Sequence, residues 1–183
     1  MFILVFILSS SCQLLSDDAK LEVLNSDEHL KLNNGVLYYQ EKPFSGNVTE
    51  INNNEVLKFE IQYVTGRKHG YERSWYSDGS LAHERFYTMG KKSGIHQAWW
   101  KNGQQKFKYF FNTIGEYNGS VQEWYSSGQR YKDFNFENGK EVGPQQLWRS
   151  DGRIRANFVV KNGERFGLIG LKKCNSVYKD SKT

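Results

Sequence analysis

WYSDG at positions 75–79 is written again, with small changes, as WWKNG at 99–103, WYSSG at 124–128 and WRSDG at 148–152. The four copies stand 24, 25 and 24 residues apart, and a fixed period between about 20 and 50 residues marks a repeat architecture. Two further glycine series keep the same beat. Gly46, Gly70, Gly94, Gly119, Gly143 and Gly167 form one, and Gly66, Gly90, Gly115, Gly139 and Gly163 precede five of them by four residues. Together with Gly79, Gly103, Gly128 and Gly152 they account for all of the 17 glycines except Gly35 and Gly170.

Each copy reads as a hairpin. Asp78-Gly79, Asn102-Gly103 and Asp151-Gly152 are turn dipeptides, because glycine reaches positive φ without a Cβ clash and Asn or Asp tolerates the neighbouring geometry. Ser127-Gly128 is a weaker version. The flanking segments, such as KFKYFF and NFVV, are aromatic or β-branched. A two-residue loop would set Trp75 against Ala82. A three-residue loop ending in a glycine bulge sets Tyr76 against Ser80 and Trp75 against Leu81, and this register is the one chosen.

Alternation with period two then predicts one apolar face. It gathers Trp75 with Leu81, Arg85 and Tyr87, and Trp99 with Phe107, Tyr109 and Phe111. Trp124 joins Phe134 and Phe136, and Trp148 joins Ile154, Phe158 and Val160. The first unit contributes Ile51, Leu57, Phe59, Ile61 and Tyr63. Each Gly-x-x-x-Gly reads as the return turn to the next hairpin. The expected fold is all-β, an elongated single-layer antiparallel sheet of stacked hairpin repeats of about 24 residues. The organisation reads as an export or lipoprotein signal over 1–11, a tether over 12–29, a cap hairpin over 30–45, about five repeats over 46–171 and a polar tail over 172–183.

Composition agrees with strands and turns: 38% apolar residues, 15% aromatic and only two prolines. A formal charge of +5 and a pI near 9.1 favour acidic surfaces weakly. Without an arginine-rich tract, nucleic acid is not the implied partner. The opening MFILVFILSSSC is too short to cross a bilayer at about 20 residues per span. It resembles a bacterial lipoprotein signal in which Cys12 becomes the acylated first residue. Cys174 is then a lone thiol. This reading puts the protein in a bacterial cell envelope, anchored by lipid; the alternative is the cytoplasm.

The units GIHQAWWKNGQQ, GSVQEWYSSGQR and YKDFNFENGKEVG, with YYQEKPFSGNV at 38–48 ahead of them, resemble the MORN-repeat variant family. The resemblance covers about 30–171 and implies short aromatic hairpins stacked into a long sheet. It implies two kinds of role, antitoxin-like partners among bacterial members and lipid-binding or scaffolding modules elsewhere. The first unit departs from the pattern, with Ile51 in place of Trp and Glu55 in place of Gly.

No catalytic pattern stands out. His29, His69, His83 and His96 lack metal-ligand spacing, and neither Cys-x-x-Cys, His-Glu-x-x-His nor Gly-x-Ser-x-Gly occurs. Asp78 and Asp151 are equivalent turn residues three hairpins apart, roughly 29 Å by strand spacing, too far for paired acid–base work. No metal or cofactor is expected. Binding is the better prospect. Tyr76, Trp100, Tyr125 and Arg149 each follow a repeat Trp and are expected on the opposite face, with Lys58, Lys106, Lys108, Arg153 and Arg155. Such a strip can stack on sugars, peptides or lipid headgroups, or simply cover a solvated sheet. The face carrying Trp75, Trp99, Trp124 and Trp148 is expected to curl on itself, pair with a second copy or hold a protein partner. The expected function is a non-catalytic, surface-anchored module that binds or scaffolds a protein or envelope component. The alternatives are an antitoxin-like neutralising partner or a lipid-headgroup binder.

Overall fold

The computed structural model describes residues 21–53 and 55–170. The signal, Cys12 and the tail 172–183 lie outside the described residues. Fifteen strands and no helix are present among the described residues. They are β1 (Glu22–Leu24), β2 (Leu30–Asn33), β3 (Val36–Tyr39), β4 (Lys42–Pro43) and β5 (Gly46–Ile51). Next come β6 (Leu57–Val64), β7 (Arg67–Trp75), β8 (Leu81–Thr88), β9 (Lys91–Trp99) and β10 (Gln105–Phe111). The last are β11 (Tyr117–Trp124), β12 (Arg130–Glu137), β13 (Lys140–Trp148), β14 (Ile154–Lys161) and β15 (Glu164–Leu168). From β5 to β15 strand order follows chain order, giving five antiparallel hairpins and a closing strand in one open sheet.

β1 pairs in parallel with β5 at the near edge, so residues 22–24 of the segment read as a tether belong to the sheet. Residues 30–45, read as a hairpin, carry the three-stranded meander β2-β3-β4. Leu37 and Phe44 of this meander bury against Val23 and Val48.

The tight turns have the predicted length. In WYSDG the Tyr76 N–H donates to Ser80 O at 2.8 Å and the Gly79 N–H to Tyr76 O at 2.9 Å. The same pair of bonds recurs at Trp100–Gln104, Tyr125–Gln129 and Arg149–Arg153. The degenerate first unit keeps it too, with Asn52 bonded to Val56 and Glu55 at φ +59 in the glycine position. Most return turns are two-residue turns with both φ positive, as at Met89-Gly90 and Asn138-Gly139. The return between β10 and β11 is one residue longer, closed by Asn112 and Glu116. That residue explains the single interval of 25.

Two kinds of bulge interrupt the ladder, and the first overturns the expected face. Trp75 does oppose Leu81, but the next pair inward is Ser74 with His83, leaving Ala82 extra. Lys58, Lys106, Tyr131 and Arg155 are the equivalent extra residues in the other units. Each extra residue reverses alternation between the turn end and the strand body. Trp75, Trp99, Trp124 and Trp148, together with Leu57, Leu81 and Ile154, therefore stand on the face opposite Phe59, Tyr87, Phe107, Phe134 and Phe158. Side-chain contacts agree. Arg130 lies 5.4 Å over the Trp124 ring and pairs with Asp133. Tyr131 packs on Tyr125 at 5.3 Å on the other side.

The Trp side carries a polar row across the sheet, each member opposite the next: Glu60, Arg73, Glu84, Gln97, Lys108, Gln122, Asp133, Gln146 and Asn157. We call it the ladder face; Arg73 Nε donates to Glu84 at 2.7 Å along it. The other side, the ring face, carries the Phe and Tyr rows and both apolar cores. One core lies under the meander, and the second, Ala156, Phe158 and Val160 with Phe134 and Leu147, lies at the far end.

The second bulge inserts two residues beside Gly70, Gly94, Gly119 and Gly143. These glycines, read as turn residues, sit inside β7, β9, β11 and β13. Only the first glycine of each Gly-x-x-x-Gly is in the return.

Candidate functional site

Tyr76, Trp100 and Tyr125 follow the Trp that ends β7, β9 and β11, and all three lie on the ring face. Each leans across to the next hairpin. The Tyr76 hydroxyl donates to Trp99 O at 2.8 Å, Trp100 Nε1 to Trp124 O at 3.0 Å and the Tyr125 hydroxyl to Trp148 O at 3.2 Å. The polar tip of every ring is thus spent on the backbone of the following unit, which fixes the ring in place. Arg149 ends the row, exposed.

Between Trp100 and Tyr125 the ring face opens into a cleft of about 260 Å³. One hairpin supplies Trp100, Lys106, Phe107 and Tyr109, and the next supplies Glu123, Tyr125 and Tyr131. Phe107 and Tyr109 stack at 4.5 Å and 11°. Lys106, an extra residue of the first bulge type, carries its ammonium 4.5 Å above the Trp100 ring. Lys132 Nζ stands 3.4 Å from Glu123 Oε1. Burial, reinforced by the Glu123 carboxylate, pushes the Tyr109 phenol well above its usual range.

Of the residues expected to bind, the structure brings together Trp100, Tyr125 and Lys106, with Tyr76 one hairpin away. Lys108 does not join them. It stands on the ladder face, opposite Gln97 and Gln122, with its ammonium 5.4 Å over Phe110. Lys106 and Lys108 are separated because Lys106 is a bulge residue and Lys108 is not.

A buried column on the ring face went unnoticed in the sequence. Val48, Glu72, His96, Val121 and Gln145 are equivalent positions, between 0% and 6% exposed. The last four lie two residues after the second glycine of each pair. They fill the gap left by the two-residue bulge, where backbone groups lose their ladder partners. Gln145 Nε2 donates to Asn135 O and Val142 O, each at 2.9 Å, and its Oε1 accepts from Asn135 N at 3.2 Å. His96 Nε2 lies 2.7 Å from Phe86 O, under the rings of Tyr87 and Phe111. Burial pulls its pKa down to about 4, with Arg85 and Lys92 adding to the shift. Burial would raise the Glu72 carboxyl, but His83, Lys68 and Arg85 outweigh it and hold the pKa at about 2.

Glu72 also ends a line that invites a catalytic reading. Ser74 Oγ is 2.7 Å from His83 Nδ1, and His83 Nε2 is 3.3 Å from Glu72 Oε1. A nucleophilic triad needs a carboxylate that orients the imidazole through an aligned bond and answers its charge. Here Nε2 makes no aligned hydrogen bond, and the Glu72 carboxylate is already compensated by Arg85 at 3.1 Å and by Lys68. The line is an ion-pair cluster that ties β7 to β8.

No family model matches the chain, and no curated protein matches it. The remaining polar groups have local roles. Asp78 and Asp151 each accept a backbone N–H two residues on, at 3.0 Å, as turn residues do. His29 bonds Asp27 at 2.9 Å. Among the described residues, no group of three or more His, Cys, Asp or Glu has the arrangement of a metal site.

Proposed function

We propose that this protein is a non-catalytic binding module of a bacterial envelope, anchored by lipid at Cys12, that presents its ring face to an envelope component or a protein. The observation that carries the reading is the cleft between Trp100 and Tyr125. Its rings are held by their own polar tips, are half-buried rather than covered by a second layer, and are flanked by one cation and one anion. Rings fixed before a ligand arrives lose little freedom on binding. The anchor is supported by MFILVFILSSSC alone.

Two measurements on the full chain in cells test this reading. Replacing Lys106 by a photo-crosslinking amino acid should give discrete adducts, and the same replacement at Lys108 on the ladder face should not. Equal labelling from both faces, or none from position 106, refutes the site. Separately, Cys12→Ser should move the protein from the membrane to the soluble fraction, since each buried CH₂ of an acyl chain contributes about 0.8 kcal/mol. Wild-type protein that is soluble and carries no acyl label refutes the anchor.

A further inference from the structure

We propose that the row Tyr76, Trp100 and Tyr125 is a stacking track for a β-1,4-linked glycan strand running across the β-strands, one disaccharide per repeat, with its main subsite in the cleft between Trp100 and Tyr125. The inference rests on the reading of the ring face as a binding surface and names its ligand class.

A pyranose ring offers a flat C–H face and a rim of hydroxyls, so it needs a fixed aromatic surface with donors and acceptors beside it. The cleft supplies both. Trp100 and Tyr125 are tethered through Nε1 and the hydroxyl to the carbonyls of Trp124 and Trp148. A tethered ring keeps its face available, whereas a free phenol or indole would seek its own partner. Lys106 and Glu123 stand at the same cleft as donor and acceptor. Lys106 is exposed and can exchange its place over Trp100 for a sugar hydroxyl.

The repeat period decides between polymers. One hairpin advances two strand spacings, about 9.6 Å, which is close to the length of a β-1,4-linked disaccharide. Alternate sugars of such a strand present the same face, so every repeat meets an equivalent ring. An extended peptide advances about 3.4 Å per residue. It would span one repeat with about three residues and offer side chains on opposite sides at successive repeats. A flat lipid surface needs no period.

The test uses the full-length Cys12→Ser protein, kept in solution, and oligosaccharides of β-1,4-linked N-acetylglucosamine and of β-1,4-linked glucose, two, four and six sugars long, followed by calorimetry. Affinity for one of the two series should rise with each added disaccharide up to six sugars, because three rings form the track. Trp100→Ala and Tyr125→Ala should each weaken the hexasaccharide by about tenfold, about 1.4 kcal/mol. Tyr125→Phe keeps the stacking face but loses the tether to Trp148 O, and its affinity for the hexasaccharide should fall between those of wild type and Tyr125→Ala. Lys108→Ala on the ladder face should bind as wild type. Absence of binding to every oligosaccharide overturns the glycan assignment; if position 106 still crosslinks in cells, the binding-face reading survives without it. Vesicles of anionic phospholipid bound in place of sugars also overturn it. Hexasaccharide binding that is unchanged in Trp100→Ala, with an intact melting curve, removes the track.

Discussion

His96→Gln exchanges one occupant of the buried column for the occupant of the equivalent position at Gln145, and should abolish most of the pH dependence of stability between pH 6.5 and 4. His96 is 3% exposed and its pKa is about 4, against 6.5 for the free side chain. Because the folded value is depressed, the neutral ring stabilises the fold fully above pH 6.5. That contribution is lost as pH falls, since the unfolded chain takes up a proton that the folded chain refuses until about pH 4. At about 1.36 kcal/mol per pKa unit, the loss by pH 4 is about 3 kcal/mol. This is a large part of the roughly 5–15 kcal/mol typical of a folded domain. Glutamine keeps an N–H for Phe86 O and does not titrate. Urea unfolding at half-unit steps from pH 7.5 to 4 should give a falling midpoint for the wild type and a nearly level one for the variant. Any decline that remains in the variant should begin only below about pH 4.5. There the Glu72 carboxylate, held at about 2 against 4.5 unfolded, loses its stabilising contribution as pH falls. Parallel curves for the two proteins down to pH 4 would refute the assignment of a buried neutral imidazole.

Gln145→Ala should destabilise the far hairpin by about 2–3 kcal/mol, because Asn135 N–H, Asn135 O and Val142 O lose their partner in a site closed to water; hydrogen exchange at Asn135 should speed up while that at Arg85 stays unchanged. Two glycines separate backbone strain from collision. At Gly103 (φ +80) an added Cβ meets nothing within 4 Å, so Gly103→Ala should cost only the strain of about 1–3 kcal/mol. At Gly66 it would lie 2.4 Å from Val36 Cγ1 and 2.7 Å from Leu37 O. Gly66→Ala should therefore melt well below Gly103→Ala and loosen the β2-β3-β4 meander, seen as faster exchange at Leu37.

The period and the turns were legible because glycine at positive φ and Asp or Asn before it leave a residue-type mark. The three-residue loop follows from them, and even Glu55 keeps it. The placement of the Trp row was not legible. The extra residues at 58, 82, 106, 131 and 155 are Lys, Ala, Lys, Tyr and Arg, so nothing in residue type announces the bulge, and uninterrupted alternation assigns Trp75 to the wrong face. The same slip put Lys106 and Lys108 side by side. The column at 72, 96, 121 and 145 kept the period but hid behind its chemistry, since Glu, His, Val and Gln share only the gap they fill. β1 is three residues long and pairs with a strand more than 20 positions away, beyond the reach of a local pattern. Tyr76, Trp100 and Tyr125 do stand opposite the Trp row, but beside the Phe and Tyr rows rather than against them, because the extra residue in the second strand of each hairpin carries those rows to their side.

From β6 to β15 each strand bonds only to its neighbours in the chain, so copy number is a free variable of this design. A duplicated block running from one two-residue return to the next would slot in as another hairpin, parting only the two strands that now meet at that return. The single long return at Asn112–Glu116 shows that this rim also accepts a change of length. Each block added would bring one more Tyr or Trp into the row that ends at Arg149. The length of the gene and the reach of the ring face would then grow in step, one unit at a time.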